Sequence, residues 1–292
     1  MSDAHSVNGA SVTDLVMAAT ADLVAAGLGA TDARQDASVL ARHVLGWSLE
    51  HWLAHQRDSA PPEFATAFAP LIARRAQREP VAYIIGEREF FFRSFAVTRD
   101  VLIPRPETEM IIEAALAATG AMRFPRIVDL GTGSGCIAVT MAAELAAASV
   151  IATDISAPAL LVASANARRH GVADRIEFRR GAFFAGLTGP VDLILSNPPY
   201  VPEHDRQSLA PEVGGHEPST ALFSGNDGLD CIRSLVALSP ELLTPDGALI
   251  FEFGFGQAGH IKQLIACQPA LQLLQIVPDL QGIPRIAISQ RR

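Results

Sequence analysis

The chain lacks the means to be tied down covalently. Its three cysteines, Cys136, Cys231 and Cys267, are odd in number, far apart and without CxxC spacing in 292 residues. They imply neither a disulfide framework nor a zinc site, and a reducing cytosol suits them. Basic charge is also short: 23 Lys and Arg against 31 Asp and Glu leave a net charge of −8. That balance argues against a large nucleic-acid footprint and stable nucleic-acid binding, although a local basic patch stays open. No apolar run reaches the ~18 residues of a membrane span. The opening MSDAHSVNGA has no basic segment followed by an apolar core, so no signal peptide is expected. Asp14, Asp22 and Asp32 speak against a transit peptide, which avoids acids. The eight histidines are read as having neither HxxxH nor HExxH spacing, and no metal is expected. The chain shows no internal repeat and no low-complexity tract.

What is present is an ordinary globular composition, with enough apolar residues for a substantial core in one large or two smaller domains. Residues 1–80 read as a helical bundle domain. Ser11 can cap a helix with Leu15, Ala19, Leu23 and Val24 on one face and Gly27 past its end. Thr31 can cap a second, with Val39, Leu40, Val44 and Leu45 inward and Gly46 as its stop. Pro61-Pro62 can open a third, which Pro70 should kink or split. In its tail, Arg74, Arg75 and Arg78 read as a solvated face. Residues 81–105 are rich in aromatic and β-branched side chains and predict a β-hairpin linker turning near Arg93-Ser94. From 106 to 292 strands and helices alternate: RIVDL, VIATD, RIEFRR, VDLILS and GALIFEF, then two strands joined by a turn-rich segment. That is the pattern of an α/β, Rossmann-like, mostly parallel sheet with helices on both faces, ending in an antiparallel pair.

Two stretches carry chemistry. The first is VDLGTGSGCIA, where Gly131, Thr132, Gly133, Ser134 and Gly135 follow the first strand of the alternating region. Glycines allow a sharp turn and a close backbone approach to a ligand. The dinucleotide spacing GxGxxG is met only loosely, because Cys136 and Ala138 fall where the third glycine belongs. The GxGxG form suits a ligand without phosphates whose adenosine and amino-acid ends straddle the loop, and S-adenosylmethionine is such a ligand. Asp154 ends the next strand, placed to accept both ribose hydroxyl protons. The plainer alternative is a tight strand-to-helix turn with Asp154 as a helix cap.

The second is VDLILSNPPYVP, a buried-looking strand that stops at Asn197-Pro198-Pro199-Tyr200. Two prolines forbid further sheet pairing, but a turn needs neither that asparagine nor that tyrosine. The Asn197 side-chain oxygen and the Pro198 carbonyl are adjacent acceptors that match an NH2 group on a planar carbon, and Tyr200 offers that plane a flat face. Such nitrogens are weak nucleophiles. Orientation toward a methyl donor and exclusion of water must therefore supply much of the rate. In an open α/β sheet, both stretches belong at the carboxyl ends of strands, facing one crevice. The plainer alternative is a proline-terminated strand with a buried tyrosine.

Taken together, EPVAYIIGEREFFF (79–92), VLIPRPETE (101–109), DLGTGSGCIA, SNPPYVP, HEPSTALFSGNDGLD (216–230) and FEFGFGQ (251–257) resemble the peptide chain release factor glutamine N5-methyltransferases, the PrmC/HemK family. The resemblance implies a seven-stranded S-adenosylmethionine-dependent methyltransferase domain behind a substrate-recognising helical domain. It implies methylation of the glutamine in the Gly-Gly-Gln motif of class 1 release factors, by a cytoplasmic monomer. It further implies that Gly131 to Gly135, Asp154, Phe183 and Asn197 hold the cofactor. Asn197 and Pro198 would be catalytic, with Pro199, Tyr200 and Phe90 shaping the glutamine pocket. Arg105, Thr108 and Glu109 would line the entrance or the methionine end of the cofactor, or else form an ordinary Pro-flanked linker. One departure stands out: Ala182 occupies the place of an acid that would accept from the adenine amino group. NPPY alone is shared with nucleic-acid amino-methyltransferases acting on adenine N6 or guanine N2, which remain the alternative.

Overall fold

Caps and stops in the N-terminal region lie close to where the residues put them. In this computed structural model, which describes residues 9–120 and 122–292, the chain divides into two units. One runs to Gly86 and includes Pro211–His216; the other is Glu87–Ala210 with Glu217–Arg292. In the first unit, α1 (Val12–Ala25) opens on a capping box: the Ser11 hydroxyl accepts from Asp14 N, and the Asp14 carboxylate accepts from Ser11 N at 3.0 Å. Val12, Val16, Ala19 and Leu23 line its buried stripe. Leu15 and Val24, expected inward, lie at the edge of that stripe and beyond it, and Val24 is exposed. The next helix, α2 (Ala30–Leu45), starts at Gly29 rather than Thr31 and stops at Gly46, which takes φ 64°.

A short α3 (Leu49–His55), capped by Ser48, was not anticipated. It is followed by α4 (Phe64–Ala76), which contains Pro70 without splitting. Pro70 is on the exposed face, where water can satisfy the carbonyl it leaves unbonded. The unit is completed by α5 (Val81–Ile85), while the later segment Pro211–His216 adds one further helical turn and a half. Leu23, Leu40, Trp52, Phe64 and Phe68 fill its core.

Two further expectations fail in this unit. The arginine run is not a solvated face. Arg75 is 6% exposed, held by Asp36 at 2.6 Å and Glu212 at 2.9 Å. Arg74 makes a two-bonded pair with Glu79, and Arg78 reaches Glu212 at 3.1 Å. The carboxylates that hold Arg75 and Arg78 come from α2 and from residue 212, too far along the chain for a local pattern to reveal, whereas Glu79 lies only five residues from Arg74. Burial raises the Glu212 carboxyl, but a backbone hydrogen bond at Glu212 together with Arg75 and Arg78 outweighs it, so the carboxyl lies below the usual range. The second concerns histidine spacing. His51 and His55 stand one turn apart, as a two-histidine metal site would require, yet their rings stack at 4.3 Å and His55 Nδ1 bonds Asp58. Among the described residues, no group of three or more His, Cys, Asp or Glu is placed to hold a metal. No described helix is long and apolar enough to cross a membrane.

The second unit begins with a hairpin, β1 (Glu87–Phe90) and β2 (Arg93–Ala96). Its turn is Phe91-Phe92, at φ 46° and 59°, and not Arg93-Ser94. Glu109 accepts from Phe91 N at 2.9 Å and Arg93 donates to Phe91 O at 3.1 Å, which hold these two side-chain-bearing residues in a conformation that favours glycine. After α6 (Glu109–Thr119) come β3 (Arg126–Leu130), α7 (Cys136–Glu144), β4 (Ser149–Asp154), α8 (Ala157–Arg169), β5 (Ile176–Arg180) and β6 (Val191–Ser196). The chain then returns through α9 (Asp230–Leu242), β7 (Leu243–Glu252), α10 (Ala258–Ala266), β8 (Leu271–Pro278) and β9 (Pro284–Arg291). The seven strands follow the order β5-β4-β3-β6-β7-β9-β8, parallel except for β9, which runs antiparallel to both neighbours.

Alternate residues of the central strands serve opposite faces. Ile127, Leu193, Leu195 and Ile250 pack with Ile111, Ile137 and Ala167 of α6, α7 and α8. Val128, Leu130, Ile194 and Leu249 pack with Ile232, Leu235, Ile261 and Ile265 of α9 and α10. Strands covered on both faces read as continuous apolar runs, as parallel strands should. The sequence reverses direction at β3: β4 and β5 lie on one side of it and β6 on the other. That is the switch point at which such sheets open a crevice.

Candidate active site

Leu130 and Ser196 are paired across β3 and β6, and the Ser196 hydroxyl donates to Leu130 O at 2.7 Å. The next residues in each strand are Gly131 and Asn197, so the glycine loop and the NPPY segment leave the sheet side by side. Gly131, Gly133 and Gly135 all have positive φ, at 73°, 53° and 80°. The loop is tied backward: Gly131 N and Thr132 N both donate to Thr153 O at 2.9 Å. Asp154 Oδ2 accepts from Gly133 N at 2.9 Å and Oδ1 from Ser156 N at 2.8 Å. A carboxylate has about four acceptor sites, so Asp154 keeps capacity for a ligand's hydroxyls.

Beneath the loop, Asp129 is buried. Its Oδ2 accepts from Thr132 Oγ1 at 2.6 Å and from Ala138 N at 3.2 Å, while Oδ1 has no partner. Burial, opposed by those two bonds and helped by the charge of Asp154, pushes its carboxyl up to about 7.

These elements enclose a cavity of about 360 Å³. Gly131, Thr132, Gly133, Ser134, Asp154, Phe183, Asn197, Pro198 and Pro199 line it, joined by Thr108, Ala182 and Cys231. A Cβ added at Gly131 or Gly133 would meet nothing within 4 Å. Gly135, by contrast, does not line the cavity: its added Cβ would stand 3.0 Å from the Ala163 Cβ, so it serves close packing of α7 on α8. Among the described lining residues are two aspartates, Asp100 and Asp154, and no Lys or Arg. A cavity with that charge disfavours phosphates and suits a neutral or cationic ligand with hydroxyls to be accepted.

Besides Gly135, the structure places four expected site residues, Phe90, Tyr200, Glu109 and Arg105, away from the cavity wall. Phe90 is 1% exposed and packs edge-on against Phe95 in the core, so its position is that of a packing residue rather than a substrate contact. Tyr200 packs with the cluster around Phe251 and donates its hydroxyl to Glu252 Oε1 at 2.9 Å. Glu109 braces the hairpin turn through Phe91 N. Arg105 forms a 2.6 Å pair with the buried Glu217, whose carboxyl burial raises against that attraction. The pair joins two segments whose next residues, Pro104 and Pro218, line the cavity.

Local sequence reasoning missed two residues. Asn166 is fully buried; it accepts from Ala96 N and donates to Ala96 O and Ser134 O, fastening the glycine loop to the hairpin. Glu252 is 2% exposed, and its Oε2 accepts from Thr108 Oγ1 at 2.6 Å. Thr108 Oγ1 accepts in turn from Asn197 Nδ2 at 3.0 Å. A carboxylate at the end of a buried strand was the available signal, since such a charge requires partners.

Residues 14–86 match the PrmC N-terminal domain family and residues 108–213 the methyltransferase small domain family. A release factor glutamine methyltransferase of Cereibacter sphaeroides is 45% identical over 277 residues, covering 95% of this chain and 97% of that protein. A release factor glutamine methyltransferase of Nitratidesulfovibrio vulgaris is 48% identical over 229 residues, covering 77% of each. Among solved structures, the hMettl16 catalytic domain bound to a MAT2A 3′UTR hairpin is 19% identical with a TM-score of 0.55, covering 76% of this chain and 81% of that one, a likeness of fold.

Proposed function

Because the chain belongs to the family of release factor glutamine methyltransferases, we propose that it transfers a methyl group from S-adenosylmethionine to the side-chain nitrogen of a glutamine. The glutamine is that of the Gly-Gly-Gln motif in class 1 release factors, and the enzyme acts as a cytoplasmic monomer. Bound in the cavity, S-adenosylmethionine supplies an electrophilic methyl on a cationic sulfur. The residues present fit it. Asp154 keeps lone pairs for ribose hydroxyls, Phe183 gives a flat apolar wall, and the acidic, phosphate-averse lining suits a cation. Asn197 Oδ1 and the Pro198 carbonyl accept the two N–H groups of the substrate amide and aim its nitrogen lone pair. No strong base is needed, because the proton becomes acidic once the nitrogen has gained its methyl.

The observation that carries this reading is the position of Asn197: in line with Gly131 at the switch point, lining the cavity, with its NH2 already engaged by Thr108. The test is transfer of labelled methyl to a release factor, to its Gln→Ala variant, and to ribosomal RNA or DNA. Label on the intact factor alone is expected. Label on nucleic acid, or on the Gln→Ala factor, would reject it in favour of the amino-methyltransferase alternative, which rests only on NPPY and the shared fold and sits poorly with a net charge of −8.

A further inference from the structure

We propose that Thr108 and Glu252 are positioning residues that fix which end of the Asn197 carboxamide meets the substrate, and thereby make the pocket select an amide over a carboxylate. This deepens the glutamine reading and rests on it. A hydroxyl owns one proton. Thr108 Oγ1 stands 2.6 Å from Glu252 Oε2 and 3.0 Å from Asn197 Nδ2. Glu252 accepts from the Thr108 hydroxyl on Oε2 and from the Tyr200 hydroxyl on Oε1, so the threonine proton is committed to Glu252. Thr108 then has only lone pairs to offer Asn197. A flipped Asn197 would set its oxygen against those lone pairs in a buried place. The NH2 must therefore face Thr108, and Oδ1 is the acceptor left for the cavity that Asn197 lines.

Glu252 is itself fixed from the other side by the Tyr200 hydroxyl at 2.9 Å, whose ionisation burial and the Glu252 charge both suppress. Burial raises the Glu252 carboxyl above its usual range, the bonds from Thr108 and Tyr200 oppose that rise, and Glu107 repels its charge while Arg285 attracts it. The donor-to-acceptor sense thus runs from Asn197 through Thr108 to Glu252, with Tyr200 closing the far end. The consequence is discrimination. A substrate NH2 meets an acceptor, whereas a glutamate carboxylate in its place meets an oxygen and is repelled.

The experiment compares the parent with Thr108→Val and Thr108→Ser. It uses full-length protein, a release factor, and the factor's Gln→Glu variant as competitor. Thr108→Val keeps shape and removes the hydroxyl. It is expected to lower kcat/KM for the factor about 100-fold, leave the cofactor Kd within about threefold, and cut the preference for the Gln factor over the Gln→Glu competitor by about tenfold. Thr108→Ser restores the hydroxyl and is expected to recover both rate and preference. Should the valine variant not fold, Thr108→Ala is read in the same way. A valine variant with parental rate and preference, or a serine variant as impaired as valine, overturns the proposal. A parent that leaves the glutamine unmethylated instead overturns the underlying functional reading.

Discussion

At the glycine loop the cavity wall is backbone held by a carboxylate, whereas at Asn197 it is one carboxamide held by a line of side chains. The first arrangement is local: Thr132 meets Asp129 three residues away and Gly133 meets Asp154 across 21. The second is remote: Asn197 meets Thr108 across 89 residues and Thr108 meets Glu252 across 144. Backbone N–H groups are supplied by every residue, so the cofactor end needs only permissive glycines and one acid. The transfer end needs a specific acceptor aimed at a specific atom, and only other side chains can aim it.

The sharpest way to break this contrast is Asn197→Ala. Losing one of two acceptors that orient a weak nucleophile is expected to lower kcat about 1000-fold, roughly 4 kcal/mol in the barrier. Cofactor affinity should stay within about fivefold if the two ends are separately built. Steady-state turnover beside calorimetric cofactor titration reads both; an equal fall in both would mean the ends are one structure.

The next effect belongs to the cofactor end and concerns pH. Asp129 is raised to about 7 in the folded protein by burial beneath the loop. The native state therefore holds a proton there that the unfolded chain gives up at an ordinary carboxyl pKa. Its contribution to stability is present at acid pH and is lost as pH rises toward and through about 7. Between about pH 4.5 and 7.5 the loss amounts to about 3 kcal/mol. Urea unfolding of the cofactor-free protein should show that slope, and Asp129→Asn should remove it. A variant with the parental slope would mean that Asp129 ionises freely.

How much of each end was legible follows from the same distances. That Gly131, Gly133 and Asp154 would stand together at one cavity could be read because a turn, a helix start and a strand end fall within one strand-helix-strand unit, whereas Gly135 packs against Ala163 instead. Asn197 could be read because two prolines mark the end of a strand. The central strands were visible as apolar runs, β5 as the short IEFRR segment between turns, and the antiparallel pair at the end as two runs around a turn. Glu252 was legible as a buried carboxylate in need of partners but not as the anchor of Asn197, because nothing near it in the chain says that Thr108 will face it. Arg75 misled for the same reason, its partners Asp36 and Glu212 lying 39 and 137 residues away. The hairpin turn was misplaced because Phe91-Phe92 lacks the glycine or asparagine that normally announces positive φ. Phe90 looked like a pocket aromatic and instead fills core, since burial depends on what packs opposite.

Gly135 tests whether the backbone end is as unforgiving as it looks. Alanine there must adopt φ 80° and bring its Cβ to 3.0 Å from the Ala163 Cβ and 3.1 Å from its Cα. Neither neighbour is the free end of a flexible chain. The expected cost is about 2–3 kcal/mol, a fall of roughly 5–10 °C in Tm by calorimetry. Gly135 does not line the cavity, so methyl transfer below the transition should survive. An unshifted Tm would show that α8 can yield.

The smallest effect, and the finest distinction between the ends, is at Ala182. It lines the cavity beside Phe183 just after β5, and the family resemblance implies an acid at this place that accepts from the adenine amino group. Ala182→Asp is expected to tighten cofactor binding. The gain is modest because residue 182 is exposed, and a solvated carboxylate gives up water to accept that bond. Its charge adds to Asp100 and Asp154 in a lining without Lys or Arg, which favours a cationic cofactor but raises the mutual repulsion of the three acids. The balance is about a threefold lower Kd, roughly 0.6 kcal/mol, with kcat unchanged because Asn197 and its anchors are untouched. Titration of S-adenosylmethionine into the variant and the parent reads it directly. An unchanged or higher Kd would mean that the backbone and Phe183 already hold adenine without an acid, which makes this end still more a matter of main chain than of side chains.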